Sequence, residues 1–377
     1  MHKEVFNYQK RIWAIVNLDY LEHNYSLIKK RKTCCVVKAN AYGHGSIQIA
    51  KTLEKSGASY FAVSNIEEAI QLRNAHIETP ILVLGYSPVE CVDILFKYKI
   101  DQAVFNYEYA QSLNMHCVEK NIKIRIHLKI DTGMGRIGFQ FHGSSNELNQ
   151  ALLSCNLSNL IPTGIFTHFA IADEGINDFT SDQFRWFSEA CCFLEDNGVS
   201  FQIRHCSNSA AIIDYPKYEL DMVRAGISLY GINPTKRSIE LKPILSLWSV
   251  VSNVKTIHKG DSVSYGRTYI AQKEMVVATI PVGYADGFWR SNQGHHVYIN
   301  GEFCEIIGRV CMDQIIVKCK KAKIGDLVEI YGEHIPVVDV AKYNNTIPYE
   351  ILCSIGERVP RIYVKNGEII EIMDKLV

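Results

Sequence analysis

The chain has 377 residues, in which 40 Lys and Arg residues are balanced by 40 Asp and Glu residues. This length predicts two or three domains, and the hydrophobic content of 47% is that of a globular rather than a disordered protein. A formal net charge of +0 argues against a nucleic-acid partner, because binding to phosphate backbones requires an excess of basic residues.

The 12 cysteines are scattered or adjacent, and none has the C-x-x-C spacing of zinc and redox sites. We therefore expect no metal site, and we expect most of the cysteines to be buried in a protein of a reducing compartment. Residues 1–5 lack the apolar character of a signal peptide, and no apolar run reaches the length of a membrane span. These features predict a cytoplasmic chain.

Residues 11–235 alternate short β-branched runs with helical patterns. The predicted helices lie at 18–30, 46–56, 66–75, 89–97, 107–118 and 182–197. The eight predicted strands lie at 34–38, 60–64, 81–84, 102–105, 124–130, 164–168, 202–206 and 222–224. Eight strands alternating with helices predict an α/β fold of the closed (β/α)8 TIM-type barrel class. The alternative is an open doubly wound sheet, but no G-x-G-x-x-G turn follows the first strand.

After Asn233-Pro234 the sequence changes to short alternating runs separated by Gly and Asp-Gly turns. Predicted strands lie at 245–254, 275–280, 297–299, 304–307, 314–317 and 327–330, with one helix at 337–343. We therefore predict a barrel domain of residues 1–237, followed by a mainly β C-terminal domain of residues 238–377.

Several polar side chains lie at the predicted carboxyl ends of the barrel strands, where barrel active sites are found. Lys38 ends the first strand, and desolvation there favours a neutral amine that can form a Schiff base or act as a base. His168, Ser209 and Arg224 follow the later strands. Each of these residues also has a structural alternative. Lys38 can be a lysine that extends from a strand end to solvent. His168 can be a core histidine, Ser209 a helix N-cap and Arg224 a member of an ion pair. Together they favour a phosphate-bearing cofactor, pyridoxal 5′-phosphate, held by the lysine.

The segment Val37-Lys38-Ala39-Asn40-Ala41-Tyr42-Gly43-His44-Gly45 resembles the pyridoxal-phosphate signature of the alanine racemase family. The similarity continues in order through Asp131-Thr132-Gly133-Met134-Gly135-Arg136, Thr167-His168-Phe169-Ala170, Asn208-Ser209-Ala210-Ala211, Met222-Val223-Arg224-Ala225-Gly226-Ile227, Val263-Ser264-Tyr265-Gly266, Gly283-Tyr284-Ala285-Asp286-Gly287, Cys311-Met312-Asp313-Gln314 and Arg358-Val359-Pro360-Arg361. These blocks span nearly the whole chain, so the sequence is identified as a member of this family.

The resemblance implies an amino-acid racemase, an isomerase that interconverts L- and D-alanine with pyridoxal 5′-phosphate and supplies D-alanine for peptidoglycan. Lys38 would carry the cofactor and act as the base on the D side of the substrate. Tyr265 would be the base on the L side. By the same resemblance Tyr265 comes from the partner subunit, so that a homodimer forms shared active sites.

The remaining implied roles belong to cofactor and substrate binding. Arg224 would face the ring nitrogen of the cofactor and limit the chemistry to racemisation, because a guanidinium does not give up its proton. The implied cofactor contacts are Lys38, Tyr42, His168, Asn208, Ser209, Arg224, Gly226 and Ile227. Arg136, Met312 and Asp313 would bind the substrate. Lys129 matches a lysine that can be carbamylated to orient Arg136.

The chain departs from the family at Glu357, where many members have a tyrosine that donates to the cofactor phosphate. A carboxylate would repel a phosphate, so this contact must be replaced or lost, and strict alanine preference is in doubt. The structural alternative is a surface Glu–Arg pair.

Three other functions stay open at this point. The first is a serine racemase of the vancomycin-resistance type, the cytoplasmic domain of a membrane protein, whose substrate differs by one hydroxyl group. The second is a pyridoxal-phosphate amino-acid decarboxylase with the same barrel-plus-β plan. A non-catalytic pyridoxal-phosphate carrier is the third, and it leaves the β domain unexplained.

Overall fold

The structure is a computed structural model that describes residues 10–376; residues 1–5, for which no signal peptide is expected, lie outside this range. The described chain divides into two compact units, one of residues 22–41 and 46–241 and the other of residues 10–21, 42–45 and 242–376. The boundary at 237/238 stays a prediction. Residues 10–21, which the sequence predicts to belong to the barrel, group with the C-terminal segment in the structure.

The first unit is built on eight parallel strands, as the sequence predicts. They are β2 (Thr33–Val36), β3 (Tyr60–Val63), β4 (Ile81–Val83), β5 (Ile100–Val104), β6 (Ile124–Asp131), β9 (Leu160–Phe166), β10 (Ile203–His205) and β11 (Val223–Ala225). A short hairpin, β7 (Phe139–His142) and β8 (Ser145–Asn146), extends from β6. The strand residues are almost entirely buried on both faces, which is typical of parallel strands covered by helices.

The parallel sheet closes into a barrel. Strand β11 pairs with β2 in the register Arg224↔Cys34. On its other side, the N–H groups of Asp221 and Arg224 donate to the carbonyls of Arg204 and Ser207 at 3.1 and 2.9 Å, which links β11 to β10. The (β/α)8 prediction is therefore confirmed, and the open-sheet alternative is wrong.

The helices agree with the predicted positions in most cases. They are α1 (Leu18–Ile28), α3 (Ser46–Lys55), α4 (Ile66–Asn74), α5 (Val92–Lys97), α6 (Tyr107–Glu119), α7 (Leu148–Cys155), α8 (Asp178–Asp196) and α9 (Ser209–Asp214), with a short turn, α2 (Lys38–Tyr42), before α3. Helix α7 was not predicted, and its N-cap residue Glu147 makes no capping hydrogen bond.

The second unit is built on a ten-stranded sheet in the order β13-β16-β19-β18-β17-β20-β12-β1-β21-β22. The strands are β1 (Ile12–Asn17), β12 (Leu245–Val250), β13 (Asn253–Ile257), β16 (Met275–Ile280), β17 (His296–Ile299), β18 (Glu302–Ile307), β19 (Ile315–Lys318), β20 (Leu327–Tyr331), β21 (Arg361–Lys365) and β22 (Glu368–Met373). A separate pair, β14 (Ser262–Val263) and β15 (Tyr269–Ile270), and two helices, α10 (Val337–Tyr343) and α11 (Pro348–Cys353), complete it.

Strand β1 explains why the first described residues belong to this unit. It is antiparallel to β12 and parallel to β21. Its residues Trp13 and Ile15 pack with Ile362 and Val364 in a buried cluster. The mainly β character of this segment and its helix at 337–343 are confirmed. The strand predicted at 245–254 is instead two strands, because the chain turns after Val250.

Most of the cysteines are buried, as expected for small apolar side chains. Only Cys192 and Cys353 are exposed, and all 12 are free. They therefore contribute to packing rather than to covalent cross-links.

Candidate active site

Lys38 lies directly after the first barrel strand, where the turn α2 begins. In this turn Ala39, Asn40 and Ala41 have φ angles of 51°, 52° and 53°, in the left-handed region that residues with a Cβ rarely adopt. Each such residue costs about 1–2 kcal/mol. The predicted first strand, which ran to Lys38, therefore ends earlier, at Val36.

Two side chains hold this strained turn in place. The carboxylate of Glu68 accepts hydrogen bonds from the backbone N–H groups of Ala39 at 2.6 Å and Ser64 at 2.7 Å. The side chain of Asn40 accepts from the N–H of Ser46 at 3.0 Å. The backbone that presents Lys38 is thus fixed by its own unit, and strain of this kind is concentrated at functional sites. Sequence reasoning missed Glu68.

Arg224 lies inside the barrel with 3% of its surface exposed. Its guanidinium donates to five acceptors, which are Thr167 O (2.7 Å), His205 Nδ1 (2.9 Å), His205 O (3.0 Å), Cys206 O (3.0 Å) and His168 Nδ1 (3.3 Å). Burial lowers the pKa of Arg224 to about 10, which still leaves it charged at neutral pH. The ion pair considered from sequence is not what stabilises it, since its partners are neutral acceptors.

The predicted barrel residues come together as a group of positive charges. Burial lowers the pKa of His168 well below its ordinary value, and the charges of Arg224, Lys129, Arg136 and Lys38 lower it further. A neutral His168 can accept the hydrogen bond from Arg224. A neutral histidine beside the buried Arg224, with three further basic side chains near it, has the chemistry of an anion-binding site.

Lys129, on β6, is 2% exposed. Its Nζ donates to the carbonyl of Ile130 at 2.7 Å and lies 5.5 Å from the centre of the Phe166 ring. Burial lowers the pKa of Lys129 to about 7, and the nearby charges of Arg224 and Arg136 act in the same direction. Near neutral pH a large fraction of this amine is therefore uncharged.

The loop after β6 is held by Asp131. Its carboxylate accepts hydrogen bonds from the backbone N–H groups of Gly133 (2.9 Å), Met134 (2.8 Å) and Gly135 (3.0 and 3.1 Å). The loop leads to Arg136, which is exposed. Asp131 thus fixes the backbone that carries Arg136, although Asp131 was not among the predicted site residues.

A polar cradle forms where β11 ends. Ser209 Oγ accepts hydrogen bonds from the N–H groups of Gly226 at 2.8 Å and Ser228 at 3.4 Å, next to the 3₁₀ turn that starts at Ile227. The Ser228 hydroxyl is buried and has no hydrogen-bond partner among the described residues. Hydroxyl and backbone N–H groups at a helical N-terminus, near buried cations, fit a phosphate-bearing cofactor.

Asn208 has a structural role in addition to its predicted use as a cofactor contact, which stays a prediction. Its side chain accepts from the N–H of Ala211 at 3.0 Å and is the N-cap of α9. The alternative reading of Ser209 as an N-cap is therefore wrong, because the cap is one residue earlier. This leaves the Ser209 hydroxyl for the cradle.

In the second unit, Tyr265, Met312 and Asp313 line one open cleft of about 510 Å³. Tyr265 is 69% exposed and Met312 is 51% exposed. Ser264, which precedes the tyrosine, has a φ of 63°, and its hydroxyl donates to Arg309 O at 2.5 Å. This contact fixes the turn that presents Tyr265.

Asp313 is linked to a chain of charges behind the cleft. Arg358 donates to Asp313 at 2.8 Å and contacts Asp286 at 3.1 Å. Arg11 also donates to the buried Asp286, at 2.5 and 3.0 Å. The backbone of the Met312 block is held as well, since the N–H of Ala285 donates to Met312 O at 3.0 Å.

Glu357, which replaces the tyrosine of many family members, forms a surface ion pair in the structure. Glu357 is an exposed residue that pairs with Lys375, and this hydrogen bond lowers the pKa of its carboxyl. The expected surface pair therefore has a lysine rather than an arginine partner. A tyrosine is present elsewhere: Tyr349 packs against Tyr42 with their ring centres 5.8 Å apart. Sequence reasoning missed Tyr349, and only its proximity to Tyr42 identifies it.

Comparison with known proteins gives the family. Residues 16–234 match the family model "Alanine racemase, N-terminal domain", and residues 244–363 match "Alanine racemase, C-terminal domain". The chain is 40% identical to alanine racemase 1 of Clostridium acetobutylicum over 387 aligned positions, which cover 98% of this chain and 99% of that protein.

Solved structures give the same result. The alanine racemase of Clostridium difficile 630 has a TM-score of 0.93 and 39% identity, with coverage of 98% of this chain and 100% of that one. The alanine racemase of Bartonella henselae with covalently bound pyridoxal phosphate has a TM-score of 0.86 and 30% identity, with coverage of 94% and 100%. Among residues 10–376, no helix is long and apolar enough to cross a membrane.

Proposed function

The chain belongs to the alanine racemase family of pyridoxal-phosphate-dependent isomerases, and from this premise we propose that it interconverts L- and D-alanine. The observation that carries the proposal is the buried Arg224, which donates to five neutral acceptors at the mouth of a closed barrel. The same site contains Lys38 on a strained turn and a cradle for a phosphate group.

Pyridoxal 5′-phosphate, when bound, supplies an electron sink that acidifies the α-proton of an amino acid. Lys38 would hold it covalently. Ser209 and the backbone of Gly226 and Ile227 would bind the phosphate, and Tyr42 keeps its predicted part in phosphate binding. Asn208 keeps its predicted part as a cofactor contact and also caps α9.

Arg224 would present only N–H donors to the ring nitrogen, because a guanidinium keeps its proton. His168, which is neutral, would accept from Arg224 and hold its orientation. A donor that cannot release its proton restrains the electron withdrawal at the site, which favours simple proton exchange over transamination.

The two bases would act on opposite faces of the substrate, Lys38 on the D side and Tyr265 on the L side. The exposure of Tyr265 and Met312, in an open cleft, supports a homodimer in which a second copy of the chain completes the site. Arg136 and the backbone of Met312 would receive the substrate carboxylate, and Asp313 would lie nearby, at the entrance to the site.

Lys129 is proposed to be carbamylated. Its neutral Nζ would attack carbon dioxide, a new N–C bond would form, and the displaced proton would leave to solvent. The product carries a negative charge among Arg136, Arg224 and Lys38. Burial and the lowered pKa of about 7 support this step, because they supply the uncharged amine that the reaction requires.

Among the alternatives, alanine is favoured as substrate because the full-length relatives are named alanine racemases. The serine-racemase alternative has no support among them, and the same matches weigh against a decarboxylase and a non-catalytic carrier.

The test compares racemisation of L-alanine and L-serine by the purified holoenzyme, with Lys38→Ala as the control. We expect turnover of alanine to exceed that of serine, and Lys38→Ala to lose at least about 10³-fold in activity. Faster racemisation of serine would reject the substrate assignment. An active Lys38→Ala variant would reject the mechanism.

A further inference from the structure

A line of buried polar side chains runs through the barrel from Arg224 to Asp101 on β5. Arg224 Nη1 is 2.9 Å from His205 Nδ1, and His205 Nε2 is 2.9 Å from His127 Nδ1. His127 Nε2 is 3.5 Å from Asp101 Oδ2. His205, His127 and Asp101 are all 0% exposed. None of the roles assigned above uses His127 or Asp101, and His205 has appeared only as an acceptor for Arg224.

The fold leaves room for this line. A Cβ atom at Gly164, on the neighbouring strand, would lie 2.4 Å from His127 Nδ1, so only glycine admits the imidazole at this place. His205 stacks on Phe166 with ring centres 4.9 Å apart. Both rings are therefore confined by packing as well as by hydrogen bonds.

The hydrogen bonds have one possible direction, because an arginine can only donate. His205 Nδ1 must accept from Arg224, so the proton of a neutral His205 lies on Nε2. That proton is donated to His127 Nδ1, which leaves the single proton of His127 on Nε2. The ring nitrogens thus alternate between acceptor and donor from Arg224 to Asp101.

Asp101 is the acid at the far end. At 3.5 Å its Oδ2 makes a charge contact rather than a hydrogen bond, and His127 Nε2 has no hydrogen-bond partner among the described residues. Arg125 Nε donates to Asp101 Oδ1 at 2.6 Å, and the Tyr60 hydroxyl donates to Oδ2. Burial would raise the pKa of Asp101, but His127, Arg125 and Tyr60 together lower it, so the carboxylate stays ionised.

We propose that Asp101 is a positioning residue for Arg224. Its negative charge, 3.5 Å from His127 Nε2, favours a proton on that nitrogen and so favours the tautomers of His127 and His205 in which His205 presents a lone pair to the guanidinium. A proton on His205 Nδ1 would face an N–H of Arg224, and the guanidinium would have to move. The expected effect on catalysis rests on the proposed role of Arg224. The expected tautomers of His127 and His205 do not depend on that role.

Asp101→Asn tests this direction with almost no change in size. An amide has one oxygen, and the charged Arg125 competes for it with a stronger hydrogen bond. The amide NH₂ then faces His127 Nε2, so donor meets donor. His127 and His205 must shift their protons to Nδ1, and His205 then repels Arg224. Adding Arg125→Leu removes the competitor and lets the amide oxygen turn to His127.

The first measurement is solid-state ¹⁵N NMR of the histidine-labelled full chain, with and without cofactor. In the wild-type protein we expect an unprotonated Nδ1 on both His127 and His205. Asp101→Asn should move these protons to Nδ1, and Asp101→Asn/Arg125→Leu should restore them. Finding Nδ1–H on either ring of the wild-type protein, or two protons on one ring, would overturn the proposal without affecting the proposed function.

The second measurement is kcat for alanine. We expect about a ten-fold loss in Asp101→Asn, with recovery to within about three-fold of wild type in the double variant. A purely structural role for Asp101 predicts the opposite, since the double variant removes more contacts. Tyr60→Phe, which also removes one hydrogen bond at Asp101, is the matched control and should leave both tautomers and kcat unchanged. Equal effects of Asp101→Asn and Tyr60→Phe would reject the proposal.

Discussion

The two units prepare their candidate site residues in opposite ways. In the barrel, Arg224 and Lys129 are 3% and 2% exposed and are held by hydrogen bonds from their own unit. In the β unit, Tyr265 and Met312 are 69% and 51% exposed in an open cleft. The barrel residues are thus prearranged by their own unit, whereas the β-unit residues are the ones that the proposed homodimer would cover.

The largest expected effect is on the rate of racemisation, and it concerns Tyr265, one of the exposed residues of the β unit. Tyr265→Phe should reduce racemisation by about 10²–10⁴-fold, because it removes one of two proposed bases. Cofactor affinity should be unchanged. In D₂O, ¹H NMR should show α-proton exchange retained for D-alanine, through Lys38, and lost for L-alanine. Near-normal exchange of both enantiomers would contradict the two-base assignment.

Hybrid dimers test whether a second copy of the chain completes the site. Mixing Lys38→Ala with Tyr265→Phe subunits should recover activity, because each hybrid dimer contains one site with both bases. Random mixing should give about a quarter of the wild-type activity. Each variant refolded alone is the control, and mixtures no more active than these controls would argue against a shared site.

The buried Lys129 of the barrel predicts that the free energy of unfolding depends on pH. The pKa of Lys129 is about 7 in the fold, against 10.5 for an ordinary lysine. Between these values the unfolded chain binds more protons than the folded chain, so stability should rise with pH, by at most about 1.4 kcal/mol per unit. Lys129→Met should flatten this dependence in urea unfolding between pH 7 and 9, in buffer depleted of carbon dioxide. Identical slopes would show that Lys129 is not desolvated as described.

The smallest effects distinguish a packed tyrosine from an exposed carboxylate. Tyr349→Phe should weaken binding of pyridoxal 5′-phosphate by about five- to ten-fold if its hydroxyl serves the phosphate beside Tyr42, since one hydrogen bond contributes about 1 kcal/mol.

Glu357→Gln should change cofactor affinity and the free energy of unfolding by less than about 0.5 kcal/mol. Fluorescence titration of the cofactor measures both affinities. A larger effect at Glu357 would restore the original concern about this position.

Local sequence patterns were sufficient for most of the architecture. The alternation of β-branched runs and helices predicted all eight barrel strands, and the Gly-rich punctuation predicted the mainly β segment. The blocks around Lys38, Arg224 and Tyr265 identified the family. Among the elements that were missed are α7 and the strands β21 and β22, which follow a Pro-containing segment that shows no clear period.

The sequence by itself thus determined the barrel, the β segment and the chemical types at the strand ends, because these depend on periodicity and on residues close in the chain. Tertiary structure alone decided that β1 joins the C-terminal sheet, that Glu68 holds the left-handed turn, and that Arg224 reaches Asp101 through two histidines. Each of these features needs a partner from a distant segment. Only closure of the barrel and pairing of the sheet bring such partners into contact.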